Sequence, residues 1–219
     1  MGAATRQREV LEELRRQIRH LERRPARRAG ALPSGRPEVD ALLPGGGFPC
    51  GSITSIVGGP ASGKTQLALD ALRMAQESGA LAAFVDGRGE LYPPAAVALG
   101  IDPARLLIVR RKDGNGGGRQ EAATGLWAAE ALLASGAFAA VAVDVPVRSV
   151  PAARAEAMLR RLRSAAEKGG AVALWLGAPG GPCLSAALRL ELTGPARSPT
   201  VCLVRGEAVA RGAGEGHAA

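Results

Sequence analysis

The spacing of apolar residues changes period along this chain. Between Glu9 and Arg24, Leu11, Leu14, Ile18 and Leu21 recur at intervals of 3, 4 and 3, which draws one apolar stripe on a charged helix. A stripe that narrow does not fold alone at this length, so the helix must dock. Its own core, a neighbouring subunit and another protein are all candidate surfaces. Arg23–Pro37, rich in Arg, Pro, Gly and Ala, reads as an extended linker. From about residue 40 strands and helices alternate. Ile53–Val57 is a β-branched run that ends in glycines, and Lys64–Ser78 has helical spacing with a Gly79 stop. Leu81–Asp86 and Leu106–Arg110 read as strands, Glu121–Ser135 as a helix stopped by Gly136, and Ala139–Val145 as a strand at whose end stands Asp144. Pro151–Lys168 is a helix with an Arg-rich face, and Ala171–Gly177 is a further buried strand. Leu188–Thr193 and Thr200–Arg205 are β-like and joined through a Gly-Pro turn. This alternation predicts an α/β fold: a mainly parallel sheet flanked by helices on both faces, closed by a small antiparallel β extension. The Gly114–Gly118 run predicts a loop.

The expected organisation is a helical arm and linker at 1–29, an α/β body at 30–210 and a flexible tail at 211–219. Charge reinforces that division. The 219 residues carry a net charge of +8, but residues 1–36 alone hold ten Arg against four Glu. The remainder holds 18 basic and 16 acidic residues and is nearly neutral. The two histidines, His20 and His217, lie in the arm and the tail, which argues against a His-based triad, a His-ligated zinc site or a HExxH protease. Cys50, Cys183 and Cys202 are odd in number and contain no CxxC pair, which favours a reducing, cytoplasmic setting over a disulfide framework. One Tyr, three Phe and two Trp argue against an aromatic platform for single-stranded nucleic acid. Trp127 and Trp175 read as core residues, and the cysteines as small core or loop residues. No apolar run reaches membrane-spanning length and no secretory leader is visible, so no membrane partner is expected. The abundance of Ala and Gly, with 25 Arg against 3 Lys, reads as codon bias.

The sharpest chemical signal is Gly58-Gly59-Pro60-Ala61-Ser62-Gly63-Lys64-Thr65, a full G-x-x-x-x-G-K-[ST] match. It follows a strand and opens a helix, so backbone N–H groups and the helix dipole converge on an anion. Lys64 is expected to reach the β/γ-phosphates of a nucleotide, the Thr65 hydroxyl to meet Mg²⁺, and Gln66 to complete the first turn of the site. Asp144, at the end of the run Ala139-Ala140-Val141-Ala142-Val143, stands where a P-loop fold places the carboxylate that orients the Mg²⁺ water shell. ATP and Mg²⁺ are therefore the expected ligands.

The segment before the loop, Ser34-Gly35-Arg36-Pro37-Glu38-Val39-Asp40-Ala41-Leu42-Leu43-Pro44-Gly45-Gly46-Gly47-Phe48-Pro49-Cys50-Gly51, resembles the lead-in of RecA-like recombinases. Ala83-Phe84-Val85-Asp86, then Leu99-Gly100-Ile101-Asp102 and Leu106-Leu107, continue that resemblance through Asp144, over about residues 30–145. Within that superfamily, Leu42-Leu43-Pro44-Gly45-Gly46-Gly47-Phe48-Pro49 and the helix from Leu14 to Glu22 are most similar to ImuA-type accessory proteins of bacterial translesion synthesis. That likeness implies a RecA-like core with an N-terminal arm. It also implies partnership with RecA recombinase, a Y-family-like polymerase subunit and an alternative replicative polymerase in damage-induced mutagenesis.

Two departures temper the resemblance. Active recombinases carry a glutamate two residues after the strand-end acid, to polarise the attacking water, whereas here Asp86-Gly87 is followed by Arg88. A guanidinium is not a base at working pH, though it can bind phosphate or a carboxylate. Glu90, two residues further on, is the remaining catalytic candidate. The DNA-gripping loops would be only Pro146–Pro151 and Ala178–Leu184, the nucleotide-sensing Asn-Gln pair is replaced by Leu176-Gly177, and no recombinase carboxy-terminal domain is expected. The expectation is an adaptor that binds ATP–Mg²⁺ with hydrolysis weak or absent. An active ATPase of the recombinase-mediator type and a RecA-fold signalling ATPase outside DNA repair are the competing readings. The stripe Leu11, Leu14, Ile18 and Leu21 is the expected partner-binding surface, whether for RecA or for self-association. The clusters Arg23, Arg24, Arg27, Arg28, then Arg160, Arg161, Arg163, and Arg110-Arg111-Lys112, suggest at most weak, non-specific DNA affinity.

Overall fold

The computed structural model describes residues 30–110, 118–146, 152–179, 186–196 and 198–205. The arm with its Leu11, Leu14, Ile18 and Leu21 stripe, most of the Gly114–Gly118 run, the greater part of both short loops and the tail lie outside these residues.

Nine strands and five α-helices follow one another among the described residues, with a 3₁₀ turn at Pro103–Arg105. The order is β1 (Ala31–Leu32), α1 (Pro37–Asp40), β2 (Phe48–Pro49), β3 (Ile53–Gly58), α2 (Lys64–Glu77), β4 (Leu81–Asp86) and α3 (Pro93–Ala98). Then come β5 (Leu106–Arg110), α4 (Gly118–Ser135), β6 (Phe138–Asp144), α5 (Ala152–Gly169), β7 (Val172–Gly177), β8 (Leu188–Thr193) and β9 (Thr200–Arg205). The main sheet runs β5-β4-β6-β7-β3-β8-β9. Its pairings are parallel except for the last, where β9 runs antiparallel to β8 with Leu190 opposite Leu203. The expected antiparallel extension is thus the edge of the main sheet itself.

Period-two alternation sends successive strand residues into two separate cores. Ala82, Phe84, Ala140, Ala142, Leu174 and Leu176 pack with Leu67, Leu72 and Ala75 of α2. Ala83, Val85, Val141, Val143, Ala173 and Trp175 pack on the other face with Leu126 and Leu133 of α4 and Leu159 and Leu162 of α5. Strands buried on both faces show near-continuous apolar runs, which is why these segments were legible from sequence.

Four short strands and helices were not anticipated. β1 and β2 form a two-residue antiparallel ribbon, too short to show a period, that pairs Leu32 with Phe48. In the short α1, Pro37 occupies a first-turn position that needs no N–H, and Val39 is fully buried. α3 opens in the same way on Pro93-Pro94, a dipeptide that reads as a break in the sequence. The lead-in segment also acquires a physical role: the Asp40 carboxylate accepts from the Ser34 amide at 2.7 Å, and Arg36 pairs with Asp70 of α2 at 2.8 Å.

Expected strand and helix boundaries in the body hold to within three residues, the largest shift being the start of α4 at Gly118 instead of Glu121. The stretch Arg23–Pro37, expected to be an extended linker, instead contains β1 at Ala31–Leu32 and ends in the first residue of α1. One core assignment needs correction. Trp175 is buried, but Trp127 is 68% exposed. The buried face of α4 is Ala122, Leu126, Ala129 and Leu133, at spacings of 4, 3 and 4, and Trp127 falls about a quarter-turn off it.

Candidate functional site

The site lies where β3, β4 and β6 end. β3 runs into Gly58 and the chain turns through Gly59–Gly63 into α2. Gly63 caps that helix at φ +84°, a left-handed conformation that glycine adopts without steric cost, and its carbonyl accepts from the Leu67 amide at 2.9 Å. The first turn of α2 has neither a side-chain cap nor an acidic residue. Its unsatisfied N–H groups and positive dipole end are therefore open to an anion. Lys64 Nζ donates to the Gly59 carbonyl at 3.1 Å, folding the ammonium back over the loop.

Pro60 and Ala61 are exposed, Gly59, Gly63, Lys64, Thr65 and Gln66 are half-buried, and Ser62 is buried with a hydroxyl that has no hydrogen-bond partner. The turn is tight: a Cβ on Gly58 would stand 2.2 Å from Ser62 Oγ, so residue 58 has no room for a side chain. Ala61 sits at φ +56°, the one described non-glycine residue with positive φ. A buried, unpartnered hydroxyl, free helix N–H groups and a folded-back ammonium form a donor set suited to phosphate oxygens.

Beside the loop, β4 and β6 end in register on Asp86 and Asp144. The two acids have different surroundings. Asp86 is buried and accepts from the amides of Glu90 and Leu91 at 3.0 and 3.1 Å and from Arg110 Nε at 2.9 Å. Arg110 also donates to the Leu91 carbonyl. Asp86 thus closes the turn after β4. Arg110 stands opposite it on β5, as the register Asp86↔Arg110 requires. In the sequence Arg110 reads as part of a basic cluster; the signal for its role is an Arg at the end of a strand neighbouring one that ends in Asp.

The Asp144 carboxylate accepts from Arg88 Nε at 2.6 Å. Burial pushes this carboxyl above its ordinary range; the Arg88 hydrogen bond and charge pull it down, Glu90 pushes it up, and the Lys64 charge pulls it down. Lys64, Arg88, Glu90 and Asp144 therefore share one electrostatic neighbourhood, with Glu90 exposed at its rim. For a divalent cation the fit is poor at the strand-end acid, because the Asp144 carboxylate oxygen already holds a guanidinium. At the end of β7, Leu176 is committed to the core and Gly177 stands opposite Val57 of β3, so no side-chain amide reaches the loop from there.

The remaining basic residues are largely engaged within the chain. Arg161 pairs with Glu130 at 2.7 Å and Arg163 with Glu167 at 3.1 Å. Cys50 packs against the core, Cys202 is exposed on β9, and Cys183 lies outside the described residues.

A glycine-rich turn between a central parallel strand and a helix, with a lysine folded over it and an acid on a nearby strand end, defines a P-loop α/β domain. The model of the RecA N-terminal domain matches residues 14–166, and the chain belongs to that family. The match starts inside the arm and extends past the residues on which the sequence resemblance rested. The chain is 38% identical over 125 residues to Protein RecA of Lactobacillus delbrueckii subsp. bulgaricus, covering 57% of this chain and 35% of the relative. It is 35% identical over 139 residues to Protein RecA of Salinispora tropica, covering 64% and 38%. For Protein RecA of Staphylococcus carnosus the figures are 37% over 131 residues, 60% and 35%. The chain thus spans little more than a third of the length of these relatives. No helix among the described residues is long and apolar enough to cross a membrane.

Proposed function

We propose that this chain is a RecA-fold nucleotide-binding adaptor of damage-induced translesion synthesis, linking RecA with a Y-family-like polymerase subunit, with hydrolysis weak or absent. Gly58–Thr65 and Gln66 hold the phosphates of ATP, with Lys64 swinging from the Gly59 carbonyl to the phosphate oxygens. The observation that carries the low-hydrolysis reading is the Arg88–Asp144 pair. Where a RecA-like ATPase needs a carboxylate to polarise water, this chain presents a cation locked to the neighbouring strand-end acid. Mg²⁺, when bound, would supply charge neutralisation at the phosphates; Thr65 is the residue proposed to meet it, and Asp144 could join it only with Arg88 displaced. The adaptor role and its partners rest on the family membership together with the lead-in residues 42–49. The Leu11, Leu14, Ile18 and Leu21 stripe is the surface proposed for RecA or for a second copy of the chain, and any DNA binding is weak and non-specific.

Steady-state ATP turnover of the purified chain tests the enzymatic half: turnover near background supports the adaptor. Co-purification from DNA-damaged cells tests the other half, with recovery of RecA and a Y-family polymerase homologue expected. One observation favours the alternative of an active mediator ATPase, namely that Glu90 is close enough to Asp144 to shift its titration. Hydrolysis stimulated by single-stranded DNA and lost in Lys64→Ala would establish that alternative and overturn the adaptor.

A further inference from the structure

We propose that the guanidinium of Arg88 is the resident cation of this site: it occupies the Asp144 carboxylate in place of a hydrated divalent ion and makes nucleotide capture by the loop largely independent of Mg²⁺. The inference rests on the nucleotide-binding reading above and adds to it the counter-charge that the site uses.

The argument begins with the donor set. A divalent cation at a P-loop needs hard oxygen ligands or their ordered waters, and beside the nucleotide's own phosphates the strand-end carboxylate is the charged group the protein contributes. Here that carboxylate is 8% exposed, and its Oδ1 accepts from Arg88 Nε at 2.6 Å. The Arg88 side chain is itself 29% exposed, so it joins the buried acid to the surface. A guanidinium does not deprotonate at working pH, so this counter-charge is permanent. Asp86, the adjacent acid, is not available as a substitute ligand, because two backbone amides and Arg110 already occupy it. A metal ion entering here would have to displace Arg88 and would enter a neighbourhood that already holds the Lys64 ammonium. With Arg88 in place, the charge of Asp144 is neutralised without a metal ion, and the positive charge offered to triphosphate oxygens comes from Lys64 and the first-turn N–H groups of α2.

The test is direct binding of a fluorescent ATP analogue to the full chain, with Mg²⁺ present and with EDTA. The unmodified chain is expected to show Kd values that agree within about threefold, while Arg88→Gln loses about tenfold or more in EDTA and regains it with Mg²⁺. Arg88→Lys, which keeps the charge, is expected to stay metal-independent, and it controls for loss of fold. Equal responses to EDTA in the unmodified chain and Arg88→Gln, whether both large or both small, overturn the inference. Failure of every protein to bind the analogue in either condition overturns instead the nucleotide-binding reading on which it stands.

Discussion

At the scale of single residues, the loop holds strain where phosphate is expected to sit. Ala61 at φ +56° places its Cβ close to a neighbouring carbonyl, a conformation that costs an L-residue about 1–2 kcal/mol. Glycine removes that cost but adds about 0.5–1 kcal/mol of unfolded-state entropy. Ala61→Gly is therefore expected to stabilise the chain by roughly 0.5–1 kcal/mol in urea denaturation. Asp144 gives a pH signature whose sign follows from its surroundings. Its native carboxyl titrates above the ordinary value of 3.8, mainly because it is buried. Just above that pH the native state keeps a proton that the unfolded chain has released, so this group's contribution to stability falls as pH rises through the interval and levels off beyond it. Urea unfolding of the wild-type chain and Asp144→Asn across mildly acidic to neutral pH is expected to show wild type losing ground relative to the variant as pH rises. A difference that moves the opposite way would place the controlling interaction in Arg88 instead of burial. These residues differed in legibility. The loop was readable because its glycine spacing is rigid, and Asp144 because an apolar run led to it. The Arg88–Asp144 and Arg110–Asp86 pairs were not readable, since they join residues 56 and 24 positions apart through strand order.

At the scale of elements, α4 separates the two contributions that a sequence mixes. Leu126 is 3% exposed, facing the sheet, and the next residue, Trp127, is 68% exposed. Leu126→Ala removes buried methyl groups and leaves a cavity, with an expected loss of about 2–5 kcal/mol. Trp127→Ser removes the larger side chain and is expected to change stability by less than about 0.5 kcal/mol. Thermal or urea denaturation of the two variants checks the contrast, and a large loss from Trp127→Ser would mean that its ring is covered. The strands were legible because burial on both faces makes them uniformly apolar. α1, α3 and the β1–β2 ribbon were not, because elements of two to six residues are set by prolines and by what they pack against rather than by a period of their own.

At the scale of the whole molecule, the fold class followed from alternation alone, whereas the strand order β5-β4-β6-β7-β3-β8-β9 did not. That order places three strand ends together and converts scattered charges into two ion pairs at one end of the sheet. It also changes the reading of the basic residues: Arg110, Arg161 and Arg163, which in the sequence look like part of a surface for phosphates, face carboxylates of the same chain. The alanines, which in the sequence read as codon bias, have a structural meaning too. Ala82, Ala83, Ala140 and Ala142 are fully buried in the middle of a sheet that has helices on both sides. An added methylene there has no solvent-facing side to turn towards and must displace a helix. Evolutionary drift at these positions is consequently one-sided. The centre of the sheet tolerates changes of composition only downward in volume, so over time a lineage can keep its alanines or loosen its core, and substitutions that remodel the protein must accumulate at the loops and the sheet edges.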